Sequence, residues 1–136
     1  MPRPTTALIV DDESHVRVFL RLLLKEVGIE TVWEAGDGAQ ALAMARLHQP
    51  KLVLLDINLP VMSGLEVLDH LGRMLPGVPV IMVTSQGAMK TVMECVKLGA
   101  HAYILKQSPK AEALKMLREA IDGHDPEPAG DAEAAG

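Results

Sequence analysis

Short apolar runs alternate with longer amphipathic segments five times along the chain. The runs have the length of buried β-strands, and the longer segments place apolar residues at the three- and four-residue spacing of α-helices. The predicted strands are Ala7–Val10, Thr31–Glu34, Lys51–Leu55, Val78–Val83 and His101–Leu105. The predicted helices are Ser14–Val27, Gly38–His48, Gly64–Leu75, Ala88–Leu98 and Pro109–Ile121. The pattern therefore predicts five consecutive strand–helix units.

The first, third and fourth predicted strands are uninterrupted apolar runs. Strands of this kind are typical of parallel sheets whose two faces are both covered by helices. Five strand–helix units in about 120 residues predict a doubly wound α/β fold. We expect a five-stranded parallel sheet in the order 2-1-3-4-5, within a flavodoxin-like three-layer sandwich.

Local signals mark two helix ends. Gly28 is the predicted stop of the first helix, because glycine adopts the left-handed conformation that often follows a last turn. Ser108 and Pro109 have the residue types of an N-cap and a first helical residue, since serine accepts an orphan amide and proline lacks one.

The fourth predicted helix carries Met89, Val92, Met93 and Val96 at helical spacing. Its Met-rich face, Met89 and Met93, is interpreted as core, although methionine also suits adaptable interfaces. Cys95 lies on the flank of this helix and, as the lone cysteine, is interpreted as a structural thiol in a reducing compartment. The sequence shows no apolar signal core and no apolar run long enough to span a membrane. A cytoplasmic location without membrane contact is the simplest expectation.

Composition narrows the classes of partner. The 136 residues suffice for one domain, and 49% of them are hydrophobic, but Phe, Tyr and Trp occur once each, so the core must be aliphatic. Four of the acids lie in residues 124–136, an acidic Ala/Gly/Pro-rich tail that we expect to be disordered. The remaining body is nearly neutral, and it offers neither a basic patch nor stacking aromatics for direct nucleic-acid binding.

Polar residues collect at the ends of the predicted strands. In an open parallel sheet, ligands bind at the carboxyl ends of the strands, so residues that follow different strands meet at one edge. The residues at these ends are Asp11 and Asp12 after strand 1, Asp56 after strand 3, Thr84 and Ser85 after strand 4, and Lys106 after strand 5. The sequence thus predicts three carboxylates, hydroxyl groups and an ammonium at one edge.

Such a cluster needs cations. Two anions about 4 Å apart repel by roughly 4 kcal/mol at an effective dielectric constant of about 20, so three carboxylates would protonate unless positive charge joined them. Lys106 neutralises one of them, and a hard divalent ion such as Mg²⁺ suits the others. With the charge compensated, Asp56 can act as a nucleophile toward a phosphoryl group and form an acyl phosphate, while Lys106 and Thr84 hold its oxygens.

Four motifs in this order resemble the receiver domain of two-component response regulators: IVDDE, DINLPVMSG, VTS and the lysine of YILK. The resemblance covers residues 5–121 and is closest to stand-alone, chemotaxis-regulator-like receivers. It implies that Asp56 is the phosphoacceptor, filled from a phosphohistidine on a sensor histidine kinase or a phosphotransfer protein. Such a chain is no enzyme beyond catalysing its own Mg²⁺-dependent phosphorylation and dephosphorylation.

The resemblance also implies roles for neighbouring residues. It implies that Asp12, Asp56 and the backbone carbonyl of Asn58 ligate Mg²⁺, with Asp11 contacting the ion directly or through water. It implies that Thr84 and Tyr103 form a switch, in which the hydroxyl moves to the phosphoryl group and the ring follows. The family usually has a proline after the lysine, often with a cis bond, whereas Gln107 stands here and predicts a trans bond.

Simpler interpretations exist for single residues. Asp11 and Asp12 have the residue type of helix N-caps, Lys106 alone fits a solvated surface lysine, and Tyr103 fits plain packing in an alternating strand. Gly64 is interpreted as a turn and helix-start glycine rather than a ligand contact. For Asp11 and Asp12, the expected position of Asp56 at the end of the adjacent strand favours a functional site over helix capping.

Three other functions fit the sequence less well. A calcium loop starting at Asp56 lacks the required glycine and glutamate, because Val61 and Val67 occupy those positions. A haloacid-dehalogenase-like phosphatase needs a second acid where Asn58 stands, and a flavin phosphate would be repelled by the acidic pair. The output stays open among a stand-alone receiver, a phosphorelay intermediate and a receiver from a larger regulator, and neither the kinase nor the downstream target follows from the sequence.

Overall fold

The computed structural model describes residues 4–85 and 89–123. Its five strands are β1 (Thr6–Val10), β2 (Thr31–Ala35), β3 (Val53–Leu55), β4 (Val80–Thr84) and β5 (Ala102–Leu105). Its five helices are α1 (Ser14–Glu26), α2 (Gly38–His48), α3 (Gly64–Met74), α4 (Met89–Lys97) and α5 (Lys110–Gly123). Every predicted element is present, with ends that differ by up to two residues. The predicted tail at 124–136 lies outside the described residues.

The strands form one parallel sheet in the order β2-β1-β3-β4-β5. This confirms the predicted doubly wound α/β fold. Strands β1, β3 and β4 are buried almost throughout, as their unbroken apolar sequences predicted. None of the helices in the described part of the chain combines the length and the hydropathy needed to cross a bilayer.

Alternate residues of the strands point to two separate cores. Ala7 and Ile9 of β1 face the layer formed by α1 and α5. Leu8 and Val10 face the layer formed by α2, α3 and α4. Because successive side chains of a strand point to opposite faces, both layers are anchored to the same central strands.

The strand register aligns the ends that carry the polar residues. Val10 of β1 pairs with Leu55 of β3 on one side and with Ala35 of β2 on the other. The chain leaves β1 at Asp11 and β3 at Asp56, so these two residues emerge side by side at the carboxyl edge of the sheet. Leu55 in turn pairs with Met82, which places the end of β4 next to them.

The interpretation of Met93 as a core residue is wrong, and the side chain of Met89 lies outside the described part of the chain. Among the side chains of α4 that the structure describes, that of Cys95 is buried, with 1% of its surface exposed, whereas Met93 and Val96 are exposed by 55% and 64%. The apolar positions predicted an inward face, but α4 is rotated so that the small thiol packs against the sheet. Burial raises the pKa of the Cys95 thiol, and the charge of Glu94 adds to this effect, as fits an inert structural cysteine.

The predicted stop of α1 is confirmed, whereas the last helix starts one residue later than predicted. Gly28 has φ of 92°, the left-handed conformation expected after α1. The last helix begins at Lys110, one residue later than predicted, and the carbonyl of Pro109 accepts the amide of Ala113. All peptide bonds of the described residues are trans, including the bond that joins Lys106 to Gln107.

Candidate functional site

Three carboxylates converge at the carboxyl edge of the sheet. One oxygen each of Asp11, Asp12 and Asp56 lies within 4.8 Å of the other two. Asp11 and Asp56 are buried, with 0% and 3% exposure, whereas Asp12 is exposed. Their backbones continue the sheet, because the amide of Asp56 donates to the carbonyl of Val10 at 3.0 Å and that of Asp11 to Ala35 at 3.1 Å. The predicted acid cluster is therefore assembled by strand pairing.

Lys106 from the end of β5 reaches across this edge. Its Nζ lies 2.8 Å from Oδ2 of Asp11 and 3.0 Å from Oδ2 of Asp56, and its side chain is only 17% exposed. The amide of Lys106 donates to the carbonyl of Thr84 at 2.9 Å, which extends the β4–β5 ladder by one residue. The simpler interpretation of Lys106 as a solvated surface residue is wrong.

The charges of the site perturb one another. Burial raises the pKa of Asp11, and the neighbouring Asp56 adds to this, against the hydrogen bonds from Lys106 and from the amide of Glu13. Burial alone would lower the pKa of Lys106, but its hydrogen bonds to Asp11, Asp56 and Glu13 raise it overall. The ammonium is therefore fully charged at neutral pH and belongs to the cluster electrostatically.

Glu13 is a site residue that the sequence reasoning did not single out. Its Oε1 lies 3.0 Å from Nζ of Lys106, although its side chain is 48% exposed. The hydrogen bond from Lys106 lowers the pKa of Glu13. Only the first two acids of the run DDE were assigned to the site from the sequence, although a third acid, Glu13, follows them directly.

Arg17 fastens the backbone of the acidic pair and was also missed. Its Nη1 donates to the carbonyl oxygen of Asp11 at 2.7 Å, and its Nε donates to Glu34 of β2 at 2.9 Å. Glu34 also accepts from Arg21, one turn further along α1. The guanidinium thereby links α1, β2 and the turn that carries the acids.

Asp11 and Asp12 do not cap α1. The N-cap is Glu13, and the Oδ1 atom of Asp11 instead accepts the amide of Glu13 at 2.9 Å within the turn. This decides against the helix-cap interpretation of the pair. Both side chains belong to the acid cluster.

Gly64 packs directly against the backbone of Asp56. Its amide donates to the carbonyl of Ile57 at 2.7 Å, and a Cβ at this position would overlap the carbonyl oxygen of Asp56. Glycine is required because α3 begins in contact with the residue that follows β3. Gly64 is thus the predicted helix-start glycine, and it also packs against the backbone that carries Asp56.

The predicted switch residues lie on neighbouring strands. Thr84 is the last residue of β4 and is fully buried. Tyr103 in β5 is half-buried, and its hydroxyl oxygen is buried without a hydrogen-bond partner among the described residues. Burial raises the pKa of this phenol, and the nearby Cys95 and Asp56 add to the effect. Asn58 is exposed, and its amide donates to Oδ1 of Asp56 at 3.4 Å.

The acid cluster fits a hard divalent cation. Lys106 pairs with Asp11, Glu13 and Asp56, and Asp12 lies beside the other two aspartates, so four carboxylates stand against one ammonium and the site carries excess negative charge. Octahedral ligands at about 2.1 Å lie roughly 3 to 4 Å apart, which the spacing of the three aspartate oxygens nearly meets. Their all-oxygen chemistry is the kind that Mg²⁺ prefers.

Comparison with known proteins gives a consistent result. A family model described as "Response regulator receiver domain" matches residues 7–118. The DNA-binding response regulator MtrA of Mycobacterium tuberculosis is 37% identical over 122 residues, which cover 90% of this chain and 53% of MtrA. Protein CcdB of Bacillus subtilis is 33% identical over 120 residues, which cover 88% of this chain and 99% of CcdB. The chain spans about half the length of several curated relatives, including MtrA.

Solved structures share the fold. A CheY-like receiver domain protein from Methanospirillum hungatei JF-1 matches with a TM-score of 0.81 and 30% identity, covering 91% of this chain and 98% of that one. CheY in a CheX–CheY–BeF3–Mg²⁺ complex from Borrelia burgdorferi matches with a TM-score of 0.80 and 28% identity, covering 86% and 89%. Both similarities extend over nearly the whole described chain.

Proposed function

Because this chain belongs to the response regulator receiver family, we propose that Asp56 is the residue that accepts a phosphoryl group and thereby switches partner binding. One observation carries the proposal: Asp56 lies at the edge of the sheet within 4.8 Å of two further carboxylates and 3.0 Å from the ammonium of Lys106. A buried aspartate beside two carboxylates and an ammonium is suited to act as a nucleophile rather than only as a packing residue.

The transfer chemistry follows from these neighbours. An oxygen of Asp56 attacks the phosphorus of a phosphohistidine, the O–P bond forms as the N–P bond breaks, and the imidazole leaves with the electron pair and takes up a proton. Lys106 and Thr84 hold the phosphoryl oxygens. Water reverses the modification by attacking phosphorus, which regenerates the carboxylate and releases inorganic phosphate. The chain thus acts only on itself.

Asp11, Asp12 and Asp56, together with the backbone carbonyl of Asn58, would hold Mg²⁺. When bound, the ion neutralises the carboxylates and the incoming phosphoryl oxygens. The CheY relative from Borrelia burgdorferi was solved with Mg²⁺ and BeF3, and its similarity over most of this chain supports the assignment. The residues themselves contribute orientation, since Arg17 and Gly64 fix the backbones from which two of the ligands project.

We assign the conformational response to Thr84 and Tyr103. The buried phenol oxygen of Tyr103 lacks a hydrogen-bond partner among the described residues, so the inward position of the ring carries a cost that a rearrangement would relieve. The half-buried ring can follow the hydroxyl of Thr84 when that group moves toward a phosphoryl oxygen. This coupling would change the surface around β5.

The partners follow from the same proposal. The donor would be a sensor histidine kinase or a histidine phosphotransfer protein, in the cytoplasm. We place the receiver at residues 5–121, slightly beyond the 7–118 matched by the family model. Relatives of about twice the length, MtrA among them, favour a receiver that controls an attached output domain, and CcdB, matched over 99% of its length, favours a receiver that acts alone. Onward transfer to a second histidine protein is the remaining alternative.

A small phosphodonor tests the acceptor. We expect acetyl phosphate with Mg²⁺ to add one phosphoryl group to the wild type, detected as an intact-mass increase, and to add none to Asp56→Asn. Asp69→Asn is the matched control, because Asp69 is exposed on α3 and pairs only with Arg73 among the described residues. A modified Asp56→Asn protein, or an unmodified wild type, would contradict the proposal.

Thermal unfolding tests the metal site independently of phosphorylation. Mg²⁺ should raise the melting temperature of the wild type because a ligand that binds only the folded state stabilises it. The increase should shrink in Asp12→Asn and Asp56→Asn and persist in Asp69→Asn. Equal Mg²⁺ stabilisation of all four proteins would count against binding through these carboxylates.

A further inference from the structure

Asp11 is held by hydrogen bonds at its amide, at its side chain and at its carbonyl. The amide donates to the carbonyl of Ala35 at 3.1 Å, and Oδ1 accepts the amide of Glu13 at 2.9 Å. The carbonyl oxygen accepts Nη1 of Arg17 at 2.7 Å. This carbonyl belongs to the planar peptide group that joins Asp11 to Asp12. The contact with Arg17 therefore fixes the direction in which the chain continues into Asp12.

Asp12 depends on its backbone for orientation more than the other two aspartates of the acid cluster do. Asp11 and Asp56 are buried, and each has an oxygen within 3.0 Å of Nζ of Lys106. Asp12 is exposed, so packing does not hold its side chain. Groups that stand behind a metal ligand and fix its orientation strengthen metal binding. For Asp12, the fixed point behind the ligand is the peptide group that Arg17 binds.

The guanidinium of Arg17 is itself held by Glu34 on the edge strand β2. Nε of Arg17 donates to Oε1 of Glu34 at 2.9 Å, and Oε2 of the same carboxylate accepts Nε of Arg21 at 2.8 Å. Burial alone would raise the pKa of Glu34, but the hydrogen bonds from Arg21 and Arg17 lower it overall, so the carboxylate is charged at neutral pH. The rigid fork of an arginine can bind two acceptors in a fixed geometry. Arg17 thus connects β2 to the peptide group before Asp12.

The positive charge of Arg17 acts against a cation at this site. A guanidinium next to the acid cluster repels a divalent ion, so by its charge alone Arg17 would weaken Mg²⁺ binding. Its hydrogen bond to the carbonyl of Asp11 has the opposite effect, because it orients the ligand that follows. Since the two effects differ in sign, a substitution of Arg17 shows which of them is larger.

We propose that Arg17 is a positioning residue, which binds the carbonyl of Asp11, orients Asp12 as a ligand and thereby raises the affinity of the site for Mg²⁺. The inference rests on the proposed metal site of Asp11, Asp12 and Asp56. In it, the gain from orientation exceeds the repulsion from the guanidinium. Loss of Arg17 therefore weakens Mg²⁺ binding, although it removes a positive charge.

Two matched substitutions on α1 separate orientation from charge. Arg17→Met and Arg21→Met each remove one positive charge and one contact with Glu34, and each keeps an unbranched stem. Each also removes one hydrogen bond to a backbone carbonyl, that of Asp11 at 2.7 Å for Arg17 and that of Val32 at 3.2 Å for Arg21. The pair therefore differs chiefly in which carbonyl is released, and only one of these carbonyls adjoins the acid cluster.

Calorimetric titration with MgCl₂ at constant ionic strength measures the effect. We expect Arg17→Met to raise the Kd for Mg²⁺ about ten-fold, the lower end of the range for groups that orient metal ligands. Arg21→Met should lower the Kd slightly or leave it unchanged. Arg17→Lys keeps the charge and a donor for the carbonyl of Asp11, so it should recover part of the lost affinity.

Two further measurements distinguish positioning from a merely structural role. The amide ¹⁵N resonance of Asp12, whose nitrogen shares the peptide group with the carbonyl of Asp11, should shift in Arg17→Met without Mg²⁺ and stay in place in Arg21→Met. Urea unfolding without Mg²⁺ measures the stability of both variants. A structural role of Arg17 would lower the free energy of unfolding but would leave the Kd for Mg²⁺ unchanged.

The outcomes are distinct. An Arg17→Met protein that binds Mg²⁺ as tightly as the wild type, or more tightly, overturns the inference, because orientation then contributes less than charge. Equal weakening by Arg17→Met and Arg21→Met also overturns it, since a loosened contact between α1 and β2 would explain both. If the wild type binds no Mg²⁺, or if Asp12→Asn binds it as the wild type does, the proposed metal site fails first and this inference falls with it.

Discussion

The two helical layers of the molecule are packed in different ways. Helices α2 and α3 approach each other closely, and the buried residues of α2 are all small: Gly38, Ala41 and Ala45. Helices α1 and α5 approach each other much less. Between them lies a cleft of about 530 Å³, walled by core residues such as Leu20, Ile104 and Leu117. One face of the sheet is therefore tightly filled where α2 meets α3, with a smaller cavity of about 190 Å³ beside α4, whereas the other face is partly open between α1 and α5.

This difference in packing affects the site, because each of the two helical layers borders a different part of it. The tight layer carries Gly64, which lies against the backbone of Asp56, and Gly38, where a Cβ would come within 2.7 Å of Met62. The open layer borders Glu13 and Lys106, which line the mouth of the cleft. The backbone of Asp56 thus lies against closely packed residues, whereas Glu13 and Lys106 lie beside free space.

The largest expected effect concerns Gly64, which packs against the backbone of Asp56. Gly64→Ala should destabilise the protein by roughly 3 kcal/mol or more, because the added Cβ collides with a backbone carbonyl that cannot turn away. Urea unfolding measures the change in the free energy of unfolding. Gly72→Ala is the control on the same helix, where a Cβ meets nothing within 4 Å, and it should stabilise by roughly 0.5 to 1 kcal/mol. Equal effects of the two substitutions on the free energy of unfolding would show that Gly64 is packed no more tightly than Gly72.

A matched pair of core substitutions tests the two layers directly. Ala41→Leu in α2 should destabilise by roughly 1 to 3 kcal/mol, because the closely packed layer has no room for three more carbons. Ala113→Leu in α5, which lines the cleft, should stabilise by roughly 1 kcal/mol as it fills empty space. Calorimetric unfolding of both variants decides the matter. Destabilisation by both would mean that the cleft is not fillable space.

The smallest expected effect concerns strain in the loop before α3. Val61 has φ of 74° and is 88% exposed, so a β-branched residue holds a left-handed conformation without compensating burial. Val61→Asn should stabilise by roughly 1 kcal/mol, because asparagine tolerates this conformation. Val18→Asn, at an exposed position within α1, should give no gain and serves as control. A loss of stability in Val61→Asn would show that the side chain of Val61 contributes contacts that outweigh the strain.

Sequence reasoning succeeded where one residue type and its place along a strand were sufficient. Asp11, Asp56 and Lys106 each follow an apolar run, and parallel strands bring their ends to one edge, so their meeting was predictable. It failed for α4, where Met93 and Cys95 are both apolar and differ by little more than half a turn. Spacing alone does not decide which of two opposite faces with apolar residues turns inward.

Glu13 shows the same limit at the site. Its partner Lys106 is 93 residues away in the sequence, and no local pattern around Glu13 predicts the contact. Gly64 was expected only to start a helix, because its overlap with Asp56 depends on how closely α3 approaches the end of β3. Contacts of this kind arise from the approach of separate elements, which local patterns do not specify.

The amino-acid pattern by itself determined the element order, the parallel sheet and the edge at which the charges gather, because periodicity and strand direction are local properties that add up along the chain. Tertiary packing alone decided which carboxylates pair with Lys106, which face of α4 is buried and where a cleft remains between α1 and α5. The physical reason is that these outcomes depend on distances of a few ångströms between segments far apart in the chain, where side-chain volume, burial and charge are settled jointly.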